Sequence, residues 1–129
     1  MNGETQLTVL LRTLSPVWQP DEYVYATLPT LSAELNPVLL FREAEGWTHV
    51  LRRDIADAAG IDHTFTCAWF TLCVHSSLKA VGLTAAVADA LANAGIACNA
   101  VAAYHHDHLF LPLDRAAEAL EILQRLSRS

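Results

Sequence analysis

Residues 83–100, with the sequence LTAAVADALANAGIACNA, set the pattern from which the fold can be predicted. Leu83, Val87 and Leu91 recur at helical spacing, so they share one face of an amphipathic helix that we expect to run to Ala94. Gly95 then ends the helix, and a strand is predicted from Ile96 to Tyr104. The stretch therefore predicts a helix followed at once by a strand.

The flanking segments extend this pattern in both directions. A nearly continuous apolar run, Cys67–Val74, predicts a strand before the helix that is covered on both faces or central in its sheet. After Tyr104 the chain predicts a turn over 105–107 and a returning strand from His108 to Leu111. Asp114 is then predicted to N-cap a last helix, whose apolar stripe consists of Ala116, Leu120, Leu123 and Leu126.

The second half thus runs strand, helix, strand, strand, helix, which is a βαββαβ unit that lacks its last strand. We predict an α+β, ferredoxin-like fold, with an antiparallel sheet and the helices packed on one face. The missing strand could come from the first half.

The first half is richer in strands than in helices. Strands are predicted at Leu7–Arg12 and Tyr23–Ala26, and a hairpin is predicted at Val38–Arg42 and Trp47–Leu51, with Gly46 free to adopt positive φ. A short helix follows at 53–59. Because this half shows no long crossover helix, we expect a degenerate or intertwined lobe.

Composition excludes several classes of protein. The chain has 129 residues, of which 53% are hydrophobic and 17% charged, so a well-buried core is expected and disorder is not. The net charge is −6, and the eight Lys and Arg residues form no basic stripe, which argues against a nucleic-acid partner. Four of them, Arg52, Arg53, Arg125 and Arg128, are predicted at helix ends, where they would complement the helix dipole.

Nothing in the sequence indicates a membrane or secreted protein. No apolar run is long enough to cross a bilayer, and the first residues lack the pattern of a signal peptide. A cytoplasmic location is expected. Cys67, Cys73 and Cys98 match no zinc or redox spacing and are predicted to be buried thiols.

The second half, about residues 66–127, resembles an ACT domain. The resemblance rests on the phrase Ala94–Asn99, in which the glycine ends a helix and Ile96 enters the core. It extends over nearly the whole chain through residues 45–48, 74–84 and 104–108, which are similar to small bacterial tandem ACT-like proteins of uncharacterised function. It implies two tandem ACT-like lobes, a degenerate one at residues 1–63 and an ACT domain at residues 64–129.

The resemblance also implies a function. ACT proteins typically bind amino-acid effectors at a lobe or dimer interface, near the loop after the first strand and the start of the first helix. It implies a regulatory or sensor protein that binds an amino acid or similar small metabolite, forms a homodimer and acts on an unidentified regulated protein. The implied ligand-binding residues are His75, Ser76, Ser77, Leu78, Val81, Gly82, Asn99 and Val101.

The chemistry of the predicted loop is compatible with this function. Ser76, Ser77 and the free N–H groups that lead into the helix at Leu83 could receive a carboxylate. The alternative is that these residues only cap and turn the chain into the helix. His75 is either a polar wall of the pocket or a buried, hydrogen-bonded histidine.

The histidines of residues 105–108 suggest a different function. Histidine and carboxylate are metal ligands, so His106 and His108 could belong to a metal-binding protein or a metal-dependent enzyme. Alternatively, these residues form a polar turn. Glu43 and Glu45 could similarly act as a general acid and base or simply lie on a solvated turn.

Binding is nevertheless favoured over catalysis. No nucleophile–base arrangement, phosphate-binding loop or dinucleotide phrase is present, and no catalytic residue or cofactor is predicted. A module that binds another protein through an open sheet edge remains a third alternative.

Overall fold

The computed structural model describes residues 3–73 and 82–128 of the chain. Its helices and strands are, in chain order, α1 (Gly3–Arg12), β1 (Ser15–Trp18), β2 (Tyr23–Leu28), β3 (Leu39–Glu43), β4 (Gly46–Arg52), α2 (Arg53–Ala58), β5 (Thr64–Cys73), α3 (Leu83–Asn93), β6 (Asn99–Ala102), β7 (Asp107–Pro112) and α4 (Ala116–Arg128). Short 3-10 helices lie at Ala33–Leu35 and Leu113–Arg115.

The described residues divide into two compact units. Unit 2 is Pro20–Cys67, and unit 1 consists of the described residues on either side of it. Strand β5 begins in unit 2 and ends in unit 1. The two predicted lobes, residues 1–63 and 64–129, stay a prediction. The compact units are divided differently, since residues 3–19 belong to the same unit as the C-terminal part of the chain.

In unit 1, the strands follow the order β1-β5-β7-β6. Strand β1 pairs antiparallel with β5, from Ser15 opposite Cys73 to Trp18 opposite Phe70, and β6 pairs antiparallel with β7. This is the order of a ferredoxin-like sheet in which β1 takes the place of the last strand. The predicted fold class is confirmed, and the missing strand does come from the first half.

The core of unit 1 explains why its helices lie on one face. Ala68, Phe70 and Leu72 alternate along β5 and pack in one cluster with residues of α3 and α4. Leu83, Val87 and Leu91 of α3 are all buried, as their spacing predicts. Full burial of each large apolar side chain contributes about 1.5–3 kcal/mol, so this cluster is the main stabilising feature of the unit.

Unit 2 repeats the same strand order, β5-β2-β4-β3, on a smaller core. Val24 and Ala26 of β2 pack with Leu51 of β4 and Ala56 of α2. The connection from β2 to β3 contains the 3-10 helix Ala33–Leu35, in agreement with the absence of a long crossover helix from the first-half pattern.

The strand predicted at Leu7–Arg12 was wrong, because these residues belong to helix α1. Leu7, Leu10 and Leu11 are half-buried and Leu14 is buried, a spacing of i, i+3, i+4 and i+7 that is helical. Val9, between them, is 48% exposed. The apolar run Leu7–Leu11 is too short to distinguish a helix from a strand. When Leu14 is included, the spacing of the apolar residues indicates a helix.

Strand β1 was not predicted. It contains Pro16, which lacks an N–H group and is tolerated because β1 lies at the edge of the unit 1 sheet. Two other local predictions were also wrong. Asp114 does not cap α4 but lies inside the 3-10 helix that precedes it. Arg52 and Arg53 lie at the N-terminus of α2, where the helix dipole disfavours cations, and are held by carboxylates instead.

The turn of the β3–β4 hairpin requires glycine at residue 46. Gly46 has φ +152°, and a Cβ there would lie 3.0 Å from the Leu28 carbonyl oxygen and 3.0 Å from Thr27 Oγ1. Gly60 also has positive φ, +67°, but no heavy atom of the described residues lies within 4 Å of a Cβ there. Substitution at Gly60 would therefore cause backbone strain alone, whereas substitution at Gly46 would cause backbone strain and steric clashes.

We expect Gly46→Ala to destabilise the protein more than Gly60→Ala. Positive φ alone costs about 1–2 kcal/mol at Gly60, and the two short contacts add to the strain at Gly46. Urea unfolding of both variants and of the wild type would measure the difference. If both variants lost the same unfolding free energy, the short contacts at Gly46 would have to relax at no energetic cost.

Candidate functional site

Strand β5 has two chemically different faces in unit 1. Phe70 and Leu72 point to α3 and α4, so Trp69 and Thr71 point to the opposite face, which we call the far face. On β7, Leu109 and Leu111 belong to the same core cluster, which places His108 and Phe110 on the far face. The far face therefore carries polar groups where the helix-facing side is apolar.

Three of these side chains, together with Gln19, form a connected hydrogen-bond network, which we call the histidine network. The Trp69 indole Nε1–H donates to His108 Nδ1 at 3.0 Å, and the Thr71 hydroxyl lies 3.1 Å from the same nitrogen. Gln19 Nε2 donates to Thr71 Oγ1 at 2.9 Å. Thr71 is only 5% exposed, so the network reaches into the buried part of the strand.

The network fixes the tautomer of His108. An indole nitrogen can only donate, so Nδ1 must accept and the proton of the neutral ring resides on Nε2. The pKa of His108 is lowered, first by its burial and then by the neighbouring His106, while Asp107 acts in the opposite direction. His108 is therefore held as a neutral hydrogen-bond donor at Nε2.

The lowered pKa predicts a pH-dependent stability. Between the folded and unfolded pKa values the unfolded chain binds more protons at His108, so its contribution is present above the unfolded pKa, about 6.5, and lost as pH falls through the folded pKa. We expect the stability difference between wild type and His108→Asn to shrink from about pH 7.5 to about pH 5 in denaturant unfolding. A constant difference would contradict this assignment.

The structure places part of the predicted ligand site on the same far face. On β6, Val101 lies opposite His108 and Asn99 lies opposite Phe110, and antiparallel partners share a face. Asn99 is exposed and Val101 half-buried. The resemblance had singled out both residues, and the histidine network adds hydrogen-bonding groups next to them.

The rest of the predicted site is only partly described. Gly82 precedes α3 with φ +91°, a left-handed conformation that favours glycine, and Ala86 N–H donates to its carbonyl oxygen. His75, Ser76, Ser77, Leu78 and Val81 lie outside the described residues. Their assignment as ligand-binding residues stays a prediction.

The histidines of residues 105–108 lie at the end of β6 and the start of β7. His105 and His106 are exposed and precede β7, while the rings of His106 and His108 lie 6.5 Å apart at nearly a right angle. Among residues 3–73 and 82–128, no group of three or more His, Cys, Asp or Glu side chains has a geometry that could hold a metal ion. His108 Nδ1 is already used by Trp69.

The other candidates for reactive groups have structural surroundings. Burial raises the pKa of the Cys67 thiol to about 12 and also raises the pKa of Cys98, so neither is an activated nucleophile. Glu43 accepts a hydrogen bond from the Thr48 hydroxyl across the hairpin and is exposed. That contact suits a structural role on the turn.

Unit 2 contains a charged cluster that the sequence did not reveal. Arg52 donates to Asp54, and Arg53 donates to Glu22 at 3.2 Å. The hydrogen bond from Arg52 is the main cause of the lowered pKa of Asp54. All four side chains are substantially exposed, so these pairs orient the start of α2 and contribute little to stability.

His49 is a second feature that sequence reasoning missed. It is completely buried in unit 2, where its Nδ1–H donates to the Trp47 carbonyl oxygen at 3.0 Å. The Ser32 N–H donates to its Nε2 at 3.2 Å. His49 therefore attaches the segment after β2 to strand β4. The sequence pattern indicates only that it lies in the predicted strand Trp47–Leu51.

Comparisons with known proteins agree with this architecture. A model of the ACT domain family matches residues 2–68, and a second ACT domain model matches residues 64–125. The crystal structure of a Vibrio cholerae protein of unknown function, described as a possible transport protein, is 39% identical with a TM-score of 0.89, covering 98% of this chain and 99% of that chain. No curated protein matches the sequence.

More distant structures share the fold. An Agrobacterium tumefaciens protein is 18% identical with a TM-score of 0.68, covering 83% of this chain and 84% of that chain. The ligand-free regulatory subunit of aspartate kinase from Thermus thermophilus is 11% identical with a TM-score of 0.64, covering 88% of this chain and 95% of that chain.

The strand order, the helices on one face and these likenesses define a ferredoxin-like α+β protein of tandem ACT type. The chain belongs to the ACT domain family. Domains of this family generally bind small molecules such as amino acids in regulation, and ACT regulatory domains often form oligomers. Within the described residues, no helix is both long and apolar enough to span a bilayer.

Proposed function

We propose that this chain is a regulatory protein that binds an amino acid or a similar small metabolite. The observation that carries the proposal is the position of Asn99 and Val101 on the far face, in register with Phe110 and His108. The residues that the family resemblance assigns to a ligand thus lie beside the histidine network, which supplies polar groups at the edge of a buried aromatic surface.

The family resemblance also assigns residues 75–82, which follow β5 in sequence, to the proposed site. Strand β5 ends at Cys73, just before these residues, and Thr71 at that end of the strand belongs to the histidine network. A metabolite bound beside Asn99 and Val101 would lie near these side chains of the far face. Such a site would combine hydrogen-bond donors for polar groups with an apolar lining, as small-molecule sites commonly do.

A thermal-unfolding screen of metal-stripped protein against the common amino acids, nucleotides and divalent metals tests the proposal. A ligand at about 100 times its dissociation constant adds about 2.7 kcal/mol of stability, an easily measured shift. We expect an amino acid or related metabolite to raise the unfolding midpoint. Stabilisation by a metal alone would instead support the metal-binding alternative at His106 and His108.

A pair of asparagine variants makes the test specific to the site. Asn99→Ala is expected to weaken the ligand-induced shift, because Asn99 is exposed on the far face. Asn93→Ala, at the exposed end of α3, is the matched control and should retain the shift. No response to any compound would favour a module that binds another protein.

The finer aspects of function stay predictions. The chain is proposed to act as a homodimer in the cytoplasm and to control an unidentified protein, in line with the regulatory character of the family. Sedimentation of the purified protein with and without its ligand would test the dimer.

A further inference from the structure

His108 occupies the boundary between buried and exposed parts of the far face. Thr71 and Phe110 are 5% and 2% exposed, His108 itself is half-buried, and Asn99 beyond it is exposed. A side chain at such a boundary can be held by the protein on one side and contact a solute on the other. In His108, Nδ1 contacts the protein, and Nε2 is the nitrogen that could contact a solute.

The inner nitrogen of His108 is fully used by the protein. Trp69 and Thr71 both lie within hydrogen-bond distance of Nδ1, and Gln19 in turn donates to Thr71. These contacts prevent the ring from flipping or changing its tautomer without loss of a hydrogen bond to Nδ1. Trp69, Thr71 and Gln19 are therefore positioning residues for the imidazole.

The outer nitrogen remains available to a ligand. In the part of the chain that the structure describes, every buried side-chain nitrogen and oxygen has a partner, and the hydrogen bonds of His108 all involve Nδ1. Nε2–H therefore has no hydrogen-bond partner among the described residues and is not fully buried. The ring of His106 lies 6.5 Å away and Val101 lies opposite, so one side of the donor is polar and the other apolar.

We propose that His108 determines the specificity of the site by donating from Nε2–H to an oxygen acceptor of the bound metabolite, the carboxylate or side-chain carbonyl of an amino acid. The inference rests on the proposed function, because it assigns a role within the same site. It adds a requirement that family membership does not: the ligand must present an acceptor oxygen to a fixed, neutral donor, since the network holds the proton on the outer nitrogen.

His108→Asn is the variant that separates recognition from structure. The asparagine carbonyl oxygen can take the place of Nδ1 and accept from Trp69, but no group replaces Nε2–H. The variant therefore retains the interior part of the network and loses the donor. His105→Asn makes the same substitution at an exposed neighbour and is the matched control.

The experiment measures the affinity of the amino acid that gives the largest thermal shift with the wild type, by calorimetric titration of all three proteins. We expect the dissociation constant of His108→Asn to rise about tenfold or more, as for loss of one hydrogen bond to a charged or polar acceptor, and that of His105→Asn to stay within about twofold. Unchanged affinity in His108→Asn would overturn the role of His108 and leave the proposed function intact. Absence of any shift with the wild type would overturn both.

A second readout does not depend on affinity. Long-range ¹H–¹⁵N spectra of histidine-labelled protein should show His108 with a bare Nδ1 and a protonated Nε2, and addition of the same amino acid should move the Nε2 and its proton. A purely structural histidine would give no such response. A proton on Nδ1 in the free protein would also overturn the proposal.

Discussion

Replacement of Phe70 by alanine is expected to lower the free energy of unfolding by about 3–5 kcal/mol. Phe70 is completely buried in the core cluster of unit 1, and its ring stacks on Trp18 of β1 with ring centroids 5.7 Å apart. The substitution therefore opens a cavity between the sheet and the helices. It also removes the aromatic partner that holds β1 against β5.

The same substitution at Phe41 provides the control. Phe41 is 64% exposed on β3, so Phe41→Ala should change the unfolding free energy by no more than about 0.5 kcal/mol. Urea unfolding of both variants by circular dichroism would measure the two values. Similar losses in both variants would contradict the burial of Phe70. Because a total stability of about 5–15 kcal/mol is typical, Phe70→Ala could leave unit 1 only marginally folded.

Replacement of His49 by alanine is expected to have the second-largest effect, a loss of about 2–4 kcal/mol. His49 is completely buried, and its removal leaves both the Ser32 N–H and the Trp47 carbonyl oxygen without their partner. Each unsatisfied buried group costs about 1–3 kcal/mol, and the vacated volume adds to this. The loss should appear in urea unfolding.

The control for His49 is the exposed His105. His105→Ala removes an imidazole of the same size that projects from the segment before β7. We expect it to change stability by less than about 0.5 kcal/mol. Amide exchange adds a local readout: the Ser32 amide should lose protection in His49→Ala and keep it in His105→Ala. Retained protection in His49→Ala would show that another group accepts from Ser32.

The sequence indicated Asn99 and Val101 as candidate site residues, but it did not indicate the histidine network. Asn99 and Val101 could be located because they follow the glycine that ends α3, a local signal that the family resemblance interprets. The histidine network gave no such signal. Trp69 and His108 are 39 residues apart in sequence, and Gln19 and Thr71 are 52 residues apart, so only the pairing of distant strands brings them together.

The sequence predicts correctly the elements whose periodicity is long or whose boundaries are marked. Helix α3 was predicted because three buried positions recur at helical spacing before a glycine, and the β3–β4 hairpin because Gly46 permits a conformation that other residues resist. It also determined that the second half lacks a strand, since a βαββα pattern cannot close its sheet alone.

The origin of that missing strand is visible only in the folded structure. Leu7–Leu11 is too short a run to distinguish a helix from a strand, and it becomes a helix because this places Leu7, Leu10, Leu11 and Leu14 on one side. Strand β1 follows and pairs with β5. The pairing of β1 depends on residues more than fifty positions away along the chain, which a local sequence pattern does not reveal.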